Sequence, residues 1–385
     1  MIYLDHNATT YCDPEVVKEM LPYFTEKFYN PSSVYTPSQE AKDSIETSRE
    51  KVAKLLGCHS SEIIFTAGGS ESINMAIIGT AYALKNKGNH IITSKIEHHA
   101  VLHTCKFLEE LGFEVSYIGV DKYGFVDIEQ LEKSITPKTI LISIMYANNE
   151  IGTIQPIEEI SKIAKNKGVL FHTDAVQVVG KIPFSVKNIG ADMLSLSAHK
   201  FYGPKGIGSL YIKKGLRIKP LIHGGGQERN LRAGTENVPA IVGMGKACEL
   251  AEKNMEKDSA AEKELRDMLE KNLLEKIPEI LINGHTEKRL YNTSNVGVKY
   301  VEGEGMLLNL DFEGICASSG SACTSGSLDP SHVLLAIGVS PEDAHGSLRF
   351  SFGRKNTRQE VEKVAEVLPP IVQKLRQMSP FWNKK

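Results

Sequence analysis

The sequence predicts an α/β fold, a large domain with a mostly parallel seven-stranded sheet plus a smaller α+β C-terminal domain. Three observations predict it. Short apolar runs alternate with amphipathic stretches of helical length through the first two thirds of the chain. The connections between runs are long enough for crossover helices rather than hairpins. Near residue 250 the pattern changes to a stretch dense in both charge signs, after which strands and helices segregate.

The expected strands of the large domain are Ile63–Phe65, His90–Thr93, Val115–Ile118, Thr139–Met145, Val169–His172, Met193–Leu196 and Ser209–Ile212. Each is short, apolar and bounded by polar or Gly-rich segments, as a buried parallel strand should be. The expected helices between them are Ser38–Leu56, Ser70–Leu84, Val101–Leu111 and Ile157–Lys167. In the first, Ile45, Val52, Leu55 and Leu56 share a face. Lys253–Lys276 carries Leu265, Met268, Leu269 and Leu273 on one stripe and reads as a solvent-exposed amphipathic helix leading into the second domain. Strands near Glu279–Asn283, Ser294–Val298 and Ser347–Phe352, with helices near Gly305–Asp311 and Thr357–Met378, complete that domain. The expected division assigns residues 14–255 to the large domain, and residues 1–13 with 256–385 to the small one.

At 385 residues the chain suits two domains. Lys and Arg total 45 against 47 Asp and Glu, a formal net charge of −2, which argues against a nucleic-acid or anionic-membrane partner. No run of apolar residues is long enough for a transmembrane helix, and no signal-peptide pattern precedes Asp5 and His6. The six cysteines are scattered and form no C-x-x-C pair, so neither a disulfide framework nor a zinc site is indicated. A reducing, cytoplasmic location is expected.

In parallel α/β sheets, ligands collect at the carboxyl ends of the strands. After Ile63–Phe65 comes Thr66-Ala67-Gly68-Gly69-Ser70-Glu71-Ser72, opening a helix. Glycines with a helix N-terminus make a phosphate cradle, although Ser70 would also serve as an ordinary N-cap. After Val169–His172 comes Asp174, a carboxylate at the end of a buried strand, costly unless it meets a cation or donors; the alternative is a cap for the next turn. After Met193–Leu196 comes Ser197-Ala198-His199-Lys200. A lysine placed there can be desolvated, which favours its nucleophilic amine. A phosphate cradle, an acid and a lysine are the three fixtures that pyridoxal phosphate requires: a site for its phosphate, a partner for its ring nitrogen and an amine for its aldehyde. Two further strand ends lead to Glu97-His98-His99 and to Asn148-Asn149-Glu150. His99 and His103 stand i, i+4, but no acidic ligand or H-E-x-x-H pattern accompanies them, so no metal is expected.

These motifs, with Tyr3–Thr10, Asn30–Ser33, His223–Arg229, Ser318–Cys323 and Arg349–Arg354, resemble the NifS/IscS-type cysteine desulfurases over essentially the whole chain. These are enzymes of the class V aminotransferase superfamily with the PLP-dependent transferase fold type I. The resemblance implies that Lys200 holds pyridoxal 5'-phosphate as a Schiff base, that Asp174 pairs with the ring nitrogen and that Gln177 bonds the ring hydroxyl. It implies that His98 stacks on the ring and takes part in proton transfer. It further implies that Gly69, Ser70, Ser197 and His199 bind the phosphate, and that Thr235 reaches the phosphate of a neighbouring subunit, hence a homodimer. Asn149, also beside the cofactor, and Arg349 would hold the carboxylate of L-cysteine. At position 70 the family more often has Thr; Ser keeps the hydroxyl.

Cys323 is the catalytic cysteine the resemblance implies. The usual reading of a cysteine, a small buried core residue, suits Cys58, Cys248 and Cys316. It does not suit Cys323, within Ser318–Ser331, a segment rich in Ser and Gly that has little to pack and is expected to be mobile. The implied activity is conversion of L-cysteine to L-alanine with a persulfide left on Cys323. The persulfide would pass to a sulfur acceptor such as an IscU/NifU-type iron–sulfur scaffold. The alternatives are another class V enzyme, an aminotransferase or a selenocysteine lyase, or a non-catalytic protein that keeps the fold.

Overall fold

In this computed structural model the described residues are 1–319, 329–380 and 382. Cys323 and most of its polar segment lie outside them.

The chain begins with β1 (Ile2–Tyr3), outside the large sheet, then α1 (Pro14–Met20), α2 (Pro22–Thr25), α3 (Thr36–Leu56), β2 (Ile63–Thr66), α4 (Gly69–Leu84), β3 (His90–Ser94) and α5 (His99–Glu110). It continues through β4 (Glu114–Ile118), α6 (Ile128–Ser134), β5 (Thr139–Ser143), α7 (Ile157–Asn166), β6 (Leu170–Asp174), α8 (Val186–Ile189), β7 (Met193–Ser197) and β8 (Gly208–Ile212). The strand order is β2-β8-β7-β6-β5-β3-β4. The five strands from β7 through β6, β5 and β3 to β4 are parallel, and β8 runs antiparallel to both β7 and β2. The seven expected strands are therefore present, each differing by one or two residues at an end. β5 stops at Ser143, two residues early, and Met145 lines the cavity described below while Ile144 stays in the core.

Helices cover both faces of this sheet, and the alternation of strand side chains divides the core in two. Ile91, Leu141, Met193 and Leu210 pack with α4 and α5, where Ile77 and Val101 are fully buried. Their neighbours Ile92, Ile142, Leu194 and Tyr211 pack on the opposite face with α3, α7 and the following long helix. Burial on both faces is why these strands are continuously apolar.

The long helix α9 (Val238–Lys276) corrects one expectation. The stretch Lys253–Lys276 is not a separate exposed connector. It is the second half of a 39-residue helix, about 58 Å long, that starts at an Asn237 cap bonded to the Ala240 N–H. Its first half packs Ile241, Met244, Ala247 and Cys248 against the large sheet's core. Its second half packs Leu265, Leu269 and Leu273 into a separate core. Glycines hide the first half from a charge-based reading. A Cβ on Gly245 would stand 2.8 Å from the Ser48 Cα, so α3 and α9 approach along small residues rather than a leucine stripe.

That separate core is formed with β9 (Ile280–Asn283), β10 (Thr293–Val298), α10 (Gly303–Phe312), β11 (Ile315–Cys316), β12 (Ser347–Ser351) and α13 (Arg358–Met378), while α11 (His332–Ala336) and α12 (Pro341–His345), between β11 and β12, pack in a small cluster with Ile96, Met145 and Ile151. The antiparallel sheet β12-β10-β9 packs Val296, Leu348 and Phe350 against α10 and α13. The chain's first residues add to this domain: Ile2 and Tyr3 pair in parallel with Ile315 and Cys316 as a separate two-stranded sheet. Asp5–Thr10 then run from this sheet to the ends of β6 and β7, which makes them a wall of the site. Among the described residues no helix is long and apolar enough to cross a membrane.

Candidate active site

The carboxyl ends of β2, β5, β6 and β7 open into one cavity of about 340 Å³. Lys200, Asp174, Gln177, His98, Gly69, Ser70, Ser197, His199, Asn149 and Arg349 all line it. Thr235 is exposed and does not line it. Cys323 lies outside the described residues.

Parallel register sets the floor. Asp174 pairs with Ser195 across β6 and β7, so Asp174 ends its strand beside the turn that carries Lys200. Asp174 is buried, and its Oδ1 accepts 2.9 Å from the Val176 N–H. Burial pushes its carboxyl up to about 6, against the pull of that bond and of Lys200. A carboxyl with one backbone donor in a buried pocket is a ready partner for a protonated ring nitrogen.

The helix α4 begins at Gly69, one residue before the expected start, and its N-cap is Gly68 with no side-chain cap. Ser70 is thus not the cap, and the first N–H groups of a 16-residue helix meet no capping oxygen. They remain for an anion. A Cβ on Gly69 would come within 2.9 Å of Val176 Cγ2, so only glycine leaves the space at this corner. Ser197 and His199 stand on the other side, where the His199 ring bonds Thr9 Oγ1 at 3.0 Å.

His98 caps α5: its Nδ1 accepts from the Ala100 N–H at 3.1 Å. The proton of the neutral ring therefore sits on Nε2. Burial first, and then the nearby Lys200, lower His98 to about 4, so the ring is neutral near pH 7. The capping role was not legible in the sequence, because His is an uncommon cap.

Lys200 Nζ donates to the carbonyls of Asn7 at 2.5 Å and Ala8 at 2.8 Å. The carbonyl of Asn7 also accepts from Gln177 Nε2 at 2.9 Å. Asn7 is a site residue that motif reading left without a role. It lies in a polar run, Asp5-His6-Asn7, that a two-residue edge strand gives no structural reason to keep. Asp5 is another: it accepts at 2.8 Å from Arg349, a residue 1% exposed in β12. Arg349 also donates to the Asn149 carbonyl at 3.2 Å, and its buried Nε has no hydrogen-bond partner among the described residues. A clamped guanidinium with an unused donor at a cavity wall suits a carboxylate.

Glu97, next to His98, is buried. Its carboxyl oxygens accept from Ser94 Oγ at 2.6 Å and from the Met145 N–H at 3.0 Å. Burial pushes Glu97 up to about 8. The folded state thus holds this proton more tightly than the unfolded chain. Its contribution to stability is full below about pH 4.5 and is lost as pH rises toward 8. Glu97→Gln removes the titration, so its unfolding free energy, measured by denaturant titration, should gain on the wild type between pH 5 and 8, by up to about 1.4 kcal/mol per pH unit. A constant difference across that range would refute the buried neutral acid.

Histidines His99, His103 and His332 cluster beside His98, with the His99 ring centroid 5.0 Å from that of His103 and 4.8 Å from that of His332. Among the described residues no group of His, Cys, Asp and Glu is placed to hold a metal.

The family model for class V aminotransferases matches residues 2–364. The cysteine desulfurase IscS of Methanosarcina thermophila is 57% identical over 384 residues, covering 100% of this chain and 95% of the relative. That of Clostridium botulinum (strain Hall) is 55% identical, covering 99% and 97%. A solved structure of a NifS-like protein superposes with a TM-score of 0.92 at 43% identity, covering 97% of this chain and 100% of the other. A match of this length, at this identity, on a cavity of this composition, means that the chain belongs to the class V aminotransferase family, among its NifS/IscS-type cysteine desulfurases.

Proposed function

We propose that the chain is a cysteine desulfurase that uses pyridoxal 5'-phosphate to move sulfur from L-cysteine to Cys323, leaving L-alanine. The observation that carries this reading is the convergence of Lys200, Asp174, His98 and Arg349 on one cavity beside an uncapped helix N-terminus. The cofactor fits the residues present. The start of α4 with Ser70, Ser197 and His199 would hold its phosphate, Asp174 its ring nitrogen, Gln177 its ring oxygen and Lys200 its aldehyde. When bound, it supplies an electron sink for negative charge developing at the substrate's α-carbon.

The chain's own groups do the rest. Arg349 and Asn149 bind the substrate carboxylate and orient the α-hydrogen toward Lys200. The Lys200 amine takes that proton. His98, neutral with its proton on Nε2, donates and recovers a proton beside the ring. The Cys323 thiolate attacks the substrate sulfur: an S–S bond forms, the C–S bond breaks, and its electron pair stays with carbon, which takes up a proton and leaves as alanine. Ser318, five residues before Cys323, is tied through both backbone groups to Arg349. Five residues of chain span up to about 17 Å, so the anchor supports a thiol that serves this cavity.

The remaining assignments belong to the same reading. Residues 14–255 form the cofactor-binding domain, and residues 1–13 with 256–385 the domain carrying Cys323. The enzyme is a cytoplasmic homodimer in which Thr235 serves the partner's phosphate site, and its sulfur acceptor is an iron–sulfur scaffold protein. The test is to incubate the purified protein with pyridoxal phosphate, L-cysteine and a thiol reductant. L-Alanine and sulfide are expected in equal amounts. Formation of a keto acid without sulfide would instead establish a transaminase.

A further inference from the structure

One buried lysine has no part in the chemistry above. Lys181 is 7% exposed and lies four residues beyond Gln177, in the run of turns that follows β6. Its Nζ donates to Gln177 Oε1 at 2.9 Å and to Asn7 Oδ1 at 3.4 Å. The Gln177 Nε2 in turn donates to the Asn7 carbonyl, the same oxygen that accepts from Lys200 Nζ. Lys181, Gln177, Asn7 and Lys200 therefore form one continuous chain of hydrogen bonds.

The direction of this chain matters. A lysine ammonium has donors and no acceptor. The amide oxygen of Gln177 must face it, so both N–H groups of Gln177 point elsewhere. One reaches Asn7; the other is left for the cavity that Gln177 lines. Asn7 cannot compensate by turning over. Its Nδ2 is held by Thr293 Oγ1 at 2.8 Å and the Asn149 carbonyl at 3.1 Å, and its Oδ1 also accepts from Asn292 at 3.2 Å.

The lysine's charge is balanced from behind. Lys181 and Glu262 of α9 share the lining of a second cavity of about 10 Å³ with His6, about the space one water needs. Burial lowers Lys181 and raises Glu262, and each opposite charge offsets the other's shift. The other charged or titratable groups facing Lys181 are Lys200, Arg349, His6 and His199, with Asp258, Tyr202 and Tyr291 around the same small cavity.

We infer that Lys181 is a positioning residue, which locks the Gln177 amide so that it meets the cavity as a hydrogen-bond donor and thereby favours a negatively charged oxygen there. This rests on the cofactor reading, in which that oxygen belongs to the pyridoxal ring. Losing the lock lets the amide turn its oxygen inward, and losing the ammonium removes a positive charge. Both changes favour the protonated form of the cofactor bound at Lys200.

The experiment is a pH titration of the visible absorbance of protein loaded with pyridoxal phosphate. In Lys181→Met the midpoint should rise by about one unit, a tenfold change in proton affinity. Lys181→Arg, which keeps the donor and the charge, should restore the wild-type midpoint. Because Lys181→Met strands the Glu262 carboxyl, the double variant Lys181→Met/Glu262→Gln guards against a folding defect. It should melt near the wild type and still show the raised midpoint. A purely structural lysine would lower the melting temperature and leave the midpoint in place. An unchanged midpoint in the folded double variant overturns the role of Lys181 alone. A wild-type protein that takes up no colour from pyridoxal phosphate overturns the cofactor reading, and this inference with it.

Discussion

Lys200→Ala is expected to lower turnover of L-cysteine by at least about 10⁴-fold, the scale seen when a residue acting as both nucleophile and base is removed. The fold should survive. The Lys200 ammonium gives up two backbone acceptors, but the Asn7 carbonyl keeps its bond from Gln177. The turn itself is held by the Thr10 N–H to the His199 carbonyl at 2.9 Å and by Tyr202 N–H to Thr10 Oγ1 at 2.9 Å. Phosphate contacts and the Asp174 partner also remain, so the variant should still bind pyridoxal phosphate, now without a covalent link. Borohydride reduction followed by peptide mass analysis separates the two cases. The wild-type peptide containing Lys200 should gain the cofactor's mass, and the variant protein should gain none. Turnover within tenfold of wild type would mean that another lysine carries the chemistry. Lys181 is the nearest candidate in the hydrogen-bond chain, but Gln177 and Asn7 stand between it and the cavity.

Those contacts show which parts of the site a sequence reveals. Asp174 and Lys200 were legible because each ends a buried apolar strand, where a charged residue has no ordinary reason to be. The large sheet was legible for the same reason: strands buried on both faces leave unmistakable apolar runs. Asn7 and Asp5 were not, because they reach the site from the other end of the chain. Ser351 holds the Asn7 N–H from 344 residues away, a relation no local pattern carries. The long helix α9 was half missed because its first half packs through Gly243, Gly245 and alanines rather than through a leucine stripe. The Gln177 lock was illegible in another way. Gln177 and Lys181 are four apart, and the spacing suggests only a surface pair until burial turns it into a constraint on an amide.

Cys323→Ala separates the sulfur chemistry from the rest of the cavity. The other five cysteines lie among the described residues, and burial pushes every one of their thiols up: Cys58 and Cys105 to about 12, and Cys12, Cys248 and Cys316 also above the ordinary value. A raised pKa means less thiolate at neutral pH, and the thiolate is the nucleophile. None of the five lines the cavity. On the proposed reading the sulfur acceptor is Cys323, in the polar segment that follows Ser318, whose backbone is tied to Arg349. In Cys323→Ala, formation of alanine and of protein persulfide should fall by at least about 10³-fold. Cofactor uptake and the spectral change on adding L-cysteine should persist, because Lys200, Asp174 and Arg349 are untouched. Cys316→Ser, the closest described cysteine in sequence, should retain full activity and so controls for the loss of a thiol as such. If sulfide release survives intact in Cys323→Ala, sulfur leaves the substrate by elimination to solvent, and the attack by Cys323 is not part of the mechanism.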